Sequence, residues 1–355
     1  MAGVQQAHIL INITGIDRVQ RRIRFDDMIR EAVRADELGF YCWGTSEAHF
    51  IDGPTISAPD ALYGAVAALT KDIIIRYMAV TIPFHNPITV AERLATLDIL
   101  SKGRAELCTA RGNNKLVMQA FGVKPSETRD RWKEAITIIG QALTKGVVSN
   151  SDGQYWPFEE VKVNPRALQK PSPHLFSVSS GPESHKLAAE YGVGILTFDN
   201  FFGWDYVDEC IGAYRDSIGS AKPVNGQVNN SYGYYVPIVH CAKDRATAMA
   251  EVRMRAYGYV QFILDIYLPL AKESSYEYFG GIQKIEEYKR NLEKLIELSP
   301  SIMVGTPDDI IESLKALERR GVDEVILTVD AMTHEQHMQT LNLLGEHVLP
   351  HFHKN

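Results

Sequence analysis

Short apolar runs alternate with helix-like amphipathic patterns along nearly the whole chain, and this alternation restricts the fold more than any other feature. Residues 8–13 form a strand-like run, after which Phe25, Met28, Ile29, Ala32, Val33 and Leu38 recur at helical spacing until Gly39 stops the helix. The scheme repeats with runs at 41–45, 73–82 and 105–110, each ahead of a helix pattern at 59–69, 87–100 and 128–144. Runs at 175–178, 194–198 and 232–239 precede helices at 182–191, at 204–217 and from Arg245. Asn86 and Pro87 read as the cap and first residue of one helix. Thr306, Pro307, Asp308 and Asp309 open another, which Gly321 closes. The run at 324–329 completes eight strands. Strands alternating with helices make right-handed parallel βαβ units, and eight such units predict an α/β fold of the (β/α)8 TIM-barrel type. An open doubly wound sheet is the structural alternative.

Two stretches break the repeat: 146–173 after the fourth strand, which reads as a hairpin containing Tyr155 and Trp156, and 265–300 after the seventh. Loops that follow barrel strands gather at the face where chemistry occurs, so the second insertion reads either as a mobile lid or as a helix packed outside. With 355 residues, 45% of them apolar, the chain has enough hydrophobic material for residues 1–355 to form a single barrel domain. Its net charge of -7 is spread along the chain with no basic run, which argues against nucleic acid and anionic membranes as partners. No basic segment precedes an apolar stretch at the start, and no apolar run reaches the roughly 18 residues that cross a bilayer, so a cytoplasmic protein is expected. Cys42, Cys108, Cys210 and Cys241 are far apart and read as reduced and buried. His347, His351 and His353 suggest a metal site only superficially, because Pro350 interrupts the helix that would align them; none is expected.

Several segments together resemble the bacterial-luciferase-like flavin-dependent monooxygenases, the family of alkanal and alkanesulfonate monooxygenases. They are Gly39-Phe40-Tyr41-Cys42-Trp43, Glu47-Ala48-His49-Phe50, 82–87, 91–98, Ser101-Lys102-Gly103-Arg104, Arg111-Gly112, Gln169-Lys170-Pro171, 179–184, Gly305-Thr306-Pro307 and Val348-Leu349-Pro350. The resemblance implies a (β/α)8 barrel that forms a homodimer and borrows reduced FMN from a separate flavin reductase. It further implies that reduced flavin and O2 give a C4a-(hydro)peroxide that oxygenates a small organic substrate. The chain has no GxGxxG turn for binding NAD(P)H itself, which accords with a reductase partner. Relatives that use the deazaflavin F420, and a flavin-binding subunit without catalysis, are the alternatives.

Within that frame, Arg111 at the end of the fourth strand offers a guanidinium to the flavin phosphate, with a structural ion pair as the competing role. Ser179, Ser180 and Gly181 lie between the fifth strand and a helix, where their N–H groups and Ser184 suit an anion; a plain helix cap is the alternative. Met78 and Ala79 occupy the third strand where family members often carry a non-prolyl cis peptide or a bulge against the flavin ring; an ordinary trans strand is the alternative. Glu47 and His49 fall on the loop after the second strand, where Glu47 can hold His49 in one tautomer for proton exchange; a merely hydrogen-bonded loop histidine is the alternative. Phe50, Phe84, Phe198 and Phe202, with Asn113, suit a largely apolar substrate pocket, or else ordinary core packing. Many relatives read Glu-His-His-Phe where this chain has Ala48. The first histidine, a catalytic base in luciferases, is therefore missing, and a non-luminescent oxygenase with room for a bulkier substrate is expected.

Overall fold

A parallel strand covered on both faces needs apolar side chains on both, which is why most strands of this chain are continuous apolar runs. The computed structural model describes residues 6–10, 18–50, 56–197, 201–329 and 333–352. Its strands are β1 (Gln6–Leu10), β2 (Cys42–Gly44), β3 (Ile74–Thr81), β4 (Ala105–Ala110), β5 (Val147–Val148), β6 (Val161–Lys162), β7 (Leu175–Ser179), β8 (Gly194–Thr197), β9 (Tyr232–Cys241), β10 (Ile302–Gly305) and β11 (Glu324–Val329). Nine form one sheet in the order β10-β9-β11-β1-β2-β3-β4-β7-β8, and β8 also pairs with β9. Every pairing in this sheet is parallel, and the sheet curls so that β9 meets both β8 and β11. The remaining two, β5 and β6, pair antiparallel within 146–173.

Alternation along each strand separates two apolar layers. Cys42, Met78, Cys108, Phe176, Leu196 and Ile326, each from a different strand, meet on the inner face of the curl. Their chain neighbours Trp43, Tyr77, Leu107, Leu175, Ile195 and Val325 pack outward beneath the helices. Each such large side chain contributes roughly 1.5–3 kcal/mol when fully buried. All four cysteines are free and buried. Burial pushes the Cys108 thiol up to about 12. Asp98, on the helix Pro87–Leu100, accepts bonds from Leu168 N (2.7 Å), Gln169 N (3.0 Å) and Gln169 Nε2 (2.6 Å), tying the hairpin's return to the sheet.

A further core lies beneath the helix Arg245–Leu270, which continues past Asp265. Phe279, Ile282, Ile285, Leu292 and Leu295 from 277–298 pack there against Val252, Val260, Ile263 and Leu264. The strand β10 is absent from the eight-strand reading. Its four residues run straight into the cap of the helix Pro307–Glu318, so the sequence shows one helix start rather than a strand. Among the described residues no helix is long and apolar enough to cross a membrane.

The helices Arg18–Glu37 and His334–Leu343 are joined by a buried carboxylate. Glu31 accepts Arg24 Nη1 at 2.6 Å, Arg24 Nη2 at 2.9 Å, His334 Nδ1 at 2.7 Å and His337 Nδ1 at 3.2 Å. Burial alone would raise its pKa, but the bonds from His337 and Arg24 outweigh it and lower the value from 4.5 to about 2. A carboxylate depressed in the folded state stabilises above its unfolded pKa, and that contribution disappears as pH falls from about 4.5 toward 2; the difference corresponds to about 3 kcal/mol. Urea denaturation of Glu31→Gln should therefore show a flatter acid limb than the wild type below about pH 4.5. Equal acid limbs would place the acid sensitivity elsewhere.

Candidate active site

Parallel strands deliver their C-terminal ends to one face, and there a cavity of about 190 Å3 opens. Ala79 and Thr81 reach it from β3, Ala110, Arg111 and Gly112 from the end of β4, and Val178 and Ser180 from the end of β7. Glu47 borders it from the loop after β2, Ser184 from the helix Pro182–Glu190, and Tyr267, Tyr276, Tyr278 and Phe279 roof it. The peptide Met78–Ala79 is cis, and the β3–β4 register shifts between Met78 and Val80. Met78 thereby joins the inner core while Ala79 borders the cavity.

Arg111 Nη2 donates to Thr128 Oγ1 at 3.2 Å, and the guanidinium lies over the Tyr276 ring at 4.6 Å. Arg111 Nε is buried without a hydrogen-bond partner among the described residues. A buried cationic N–H left unpaired costs free energy, so it suits an acceptor arriving from outside the chain. The next residue, Gly112, has φ +91, and a Cβ there would stand 2.9 Å from the Phe84 ring, so only glycine turns the chain at this point.

Across the cavity, Ser184 Oγ donates to Gly181 O (2.7 Å) and accepts from Gly181 N (3.2 Å), while Ser179 Oγ donates to Ser184 O (3.2 Å) and stands behind the wall. Tyr206 Oη donates to Ser180 O at 2.8 Å. His185 Nδ1 donates to Gly181 O at 2.8 Å; burial pushes this ring down to about 4, so it is neutral and its Nε2 accepts from Tyr232 Oη at 3.1 Å. The turn is thus held from behind. Arg111, with its unpaired N–H, lines the same cavity as Ser180 and Ser184, and the set fits a phosphate.

Glu47 Oε1 accepts from His49 Nε2 at 2.8 Å and from His85 Nε2 at 2.7 Å. Burial would raise the Glu47 pKa, but the hydrogen bonds and charges of His85 and His49 overcome it and hold the carboxyl below its usual range. An ionised carboxylate only accepts, so both rings present Nε2–H and keep Nδ1 for proton exchange.

His49 meets the edge of Phe121 (5.2 Å), Phe84 stacks on Phe121 (5.4 Å), and Phe50 lies 5.8 Å from it. Phe50 adopts φ 55 and is 59% exposed, outside the cavity wall. Ala48 donates its N–H to Ile56 O (3.1 Å), and Asn113 Nδ2 donates to Tyr267 Oη (3.0 Å) at the cavity. Phe202 packs on Tyr206 (4.9 Å) rather than lining the cavity. Phe198 lies outside the described residues. Of the residues singled out from the sequence, Glu47, Ala79, Arg111, Asn113, Ser180 and Ser184 converge on one cavity. Sequence reasoning passed over Thr128, Tyr267, Tyr276, Tyr278 and Phe279; the dense aromatic run 276–279 inside an insertion was the available signal.

This arrangement defines an α/β enzyme with its site at the carboxyl ends of a curled parallel sheet. The luciferase-like monooxygenase family matches residues 7–324; the chain belongs to that family and is a monooxygenase-class enzyme. It is 24% identical over 357 residues to the oxygenase component of a flavin-dependent trigonelline monooxygenase from Acinetobacter baylyi, covering 95% of this chain and 92% of that protein. The oxygenating constituent of 3,6-diketocamphane monooxygenase from Pseudomonas putida, a type II Baeyer-Villiger monooxygenase solved with FMN, superposes with a TM-score of 0.75 at 20% identity, covering 99% of each chain. A coenzyme F420 dependent tetrahydromethanopterin reductase from Methanopyrus kandleri gives 0.73 at 19% identity, covering 99% of this chain and 100% of that one. At these identities the two structures speak for the fold.

Proposed function

We propose that this chain is the oxygenase component of a two-component system, taking reduced FMN from a separate flavin reductase and using O2 to oxygenate a small organic substrate. The observation that carries the reading is the buried, unpartnered Nε of Arg111 in a cavity faced by Ser180 and Ser184. The name of the Acinetobacter relative, an oxygenase component, supports the reductase partner. In this reading the sheet is a (β/α)8 barrel with insertions after its fourth strand, at 146–173, and after its seventh, at 265–300, the latter a mobile lid. Leu69, Ile99 and Leu100 are exposed at the ends of two neighbouring helices and suit a homodimer contact in a cytoplasmic enzyme.

Reduced flavin, when bound, supplies the oxygen-activating chemistry. Arg111, Ser180 and Ser184 would hold its phosphate, with Ser179 and Gly181 shaping the turn, and Ala79 and the Met78 peptide would border the rest of the cofactor's space. Glu47 orients His49, whose Nδ1 exchanges a proton. Ala48 leaves room for substrate, which Asn113 and Phe84 flank from the mouth. Tyr267, Tyr276, Tyr278 and Phe279 keep water from the cavity.

Wild-type protein given reduced FMN, O2 and a substrate panel should yield a product heavier by one oxygen atom. A bound cofactor that never reacts with O2 would favour the deazaflavin F420 reading, for which the Methanopyrus fold neighbour stands. In Arg111→Ala the dissociation constant for reduced FMN, titrated without oxygen, should rise about tenfold to a hundredfold, as expected for losing a charge-assisted bond. Unchanged affinity would remove Arg111 from the phosphate site.

A further inference from the structure

Resting on the FMN reading above, we propose that Tyr276 and Tyr278 complete the phosphate site from the insertion side, each supplying a hydroxyl donor to the phosphate. Both border the cavity that Arg111, Ser180 and Ser184 line. Tyr276 is 2% exposed, its ring lies against the Arg111 guanidinium, and its hydroxyl touches Thr128 Oγ1 at 2.8 Å and Gly112 O at 2.9 Å. A phenol has one proton. If Tyr276 donates to the Gly112 carbonyl, then Thr128 donates to Tyr276, and Pro125 O keeps a donor in Ser275 Oγ at 3.2 Å. The Tyr276 proton can therefore turn from a neutral carbonyl to an anion beside Arg111 without stranding Thr128. A charge-assisted bond, about twice as strong as a neutral one, drives that exchange.

Tyr278 borders the same cavity on the side of the Ser180–Ser184 turn, where a Cβ on Gly181 would stand 3.8 Å from its ring. Burial raises it to about 12, so it remains a protonated donor at neutral pH. Arg111 and Ser180 come from different strand ends, and the two tyrosines reach both of them from one segment. A hydroxyl in a buried site costs free energy unless bonded, so phenylalanine would serve better at 278 if packing were its sole role.

Riboflavin shares the ring system of FMN and lacks the phosphate, and it separates a phosphate contact from general packing. Tyr276→Phe and Tyr278→Phe should each raise the FMN dissociation constant about tenfold, in the range of a bond to a charged group, and leave riboflavin affinity unchanged; Tyr276→Phe also gives up its bonds to Thr128 and Gly112 and should melt somewhat lower. The double variant should lose most of the preference for FMN over riboflavin. A wild-type ratio of the two affinities in both variants, an equal loss for both ligands, or tighter FMN binding in Tyr276→Phe would overturn the assignment. Wild-type protein that binds FMN no better than riboflavin would instead overturn the phosphate reading of the cavity.

Discussion

Replacing Arg76 with alanine is expected to destabilise the protein by about 3–5 kcal/mol, because it strands two buried carboxylates without their cation. Arg76 is fully buried at the start of β3; its Nε and Nη2 lie 2.7 Å and 2.6 Å from Glu106 Oε2, and its Nη1 lies 2.8 Å from Glu324 Oε2. The guanidinium stacks on Phe176 at 3.7 Å, and Ser231 bonds the other Glu324 oxygen. Burial raises the Glu106 pKa, with the nearby Arg76 charge opposing it. Without Arg76 a carboxyl would have to take up a proton or admit water. The triad closes the inner face of the sheet at the N-terminal ends of β3, β4 and β11, opposite the cavity, so its loss should act on stability rather than on chemistry. Urea denaturation at neutral pH reads the effect. Arg76→Met combined with Glu106→Gln and Glu324→Gln should recover much of the loss, since a buried triad replaced as a unit leaves no unpaired charge. A cost below about 1 kcal/mol for Arg76→Ala would mean that the carboxylates find other partners.

The same burial explains what could be read from the sequence. Strands covered on both faces appear as apolar runs, so seven of the eight runs, 41–45 through 324–329, coincide with strands of the main sheet, and the first, 8–13, overlaps β1 (Gln6–Leu10). The helix Arg18–Glu37 starts earlier than its apolar pattern suggests, because the first turns, Arg18 to Arg24, carry four arginines and no continuous stripe. Glu47, Arg111 and Ser180 were legible because a residue at a strand's end in this architecture faces the site whatever its tertiary contacts. Tyr276 and Thr128 were not, since their hydrogen bond spans 148 positions and no local periodicity encodes it. Phe50 illustrates the opposite error of a local reading. On the same short segment His49 turns to Glu47, whereas Phe50, in a left-handed conformation, points largely to solvent.

His49→Asn is expected to slow oxygen transfer about a hundredfold or more, the range of general acid–base catalysis. The lever is the single oxygen Oε1 of Glu47, which holds His49 and His85 at once. Asparagine removes the titrating nitrogen and, being shorter than the ring at Nε2, also gives up the bond to that oxygen, so the variant tests the whole imidazole. His85→Asn should cost less, because His49 retains its bond to Glu47 in that variant. Glu47→Gln should fall nearer to His49→Asn, since the amide still accepts from the rings but no longer balances an imidazolium. Rapid mixing of the reduced-flavin complex with O2 and substrate, from about pH 6 to 9, ranks the three variants. Ala48 cannot titrate, which leaves His49 as the adjacent imidazole. Near wild-type rates for His49→Asn across that range, with a large loss for His85→Asn, would move the proton to His85. Near wild-type rates for both would leave the two rings as a scaffold for Glu47 and place proton transfer on the substrate.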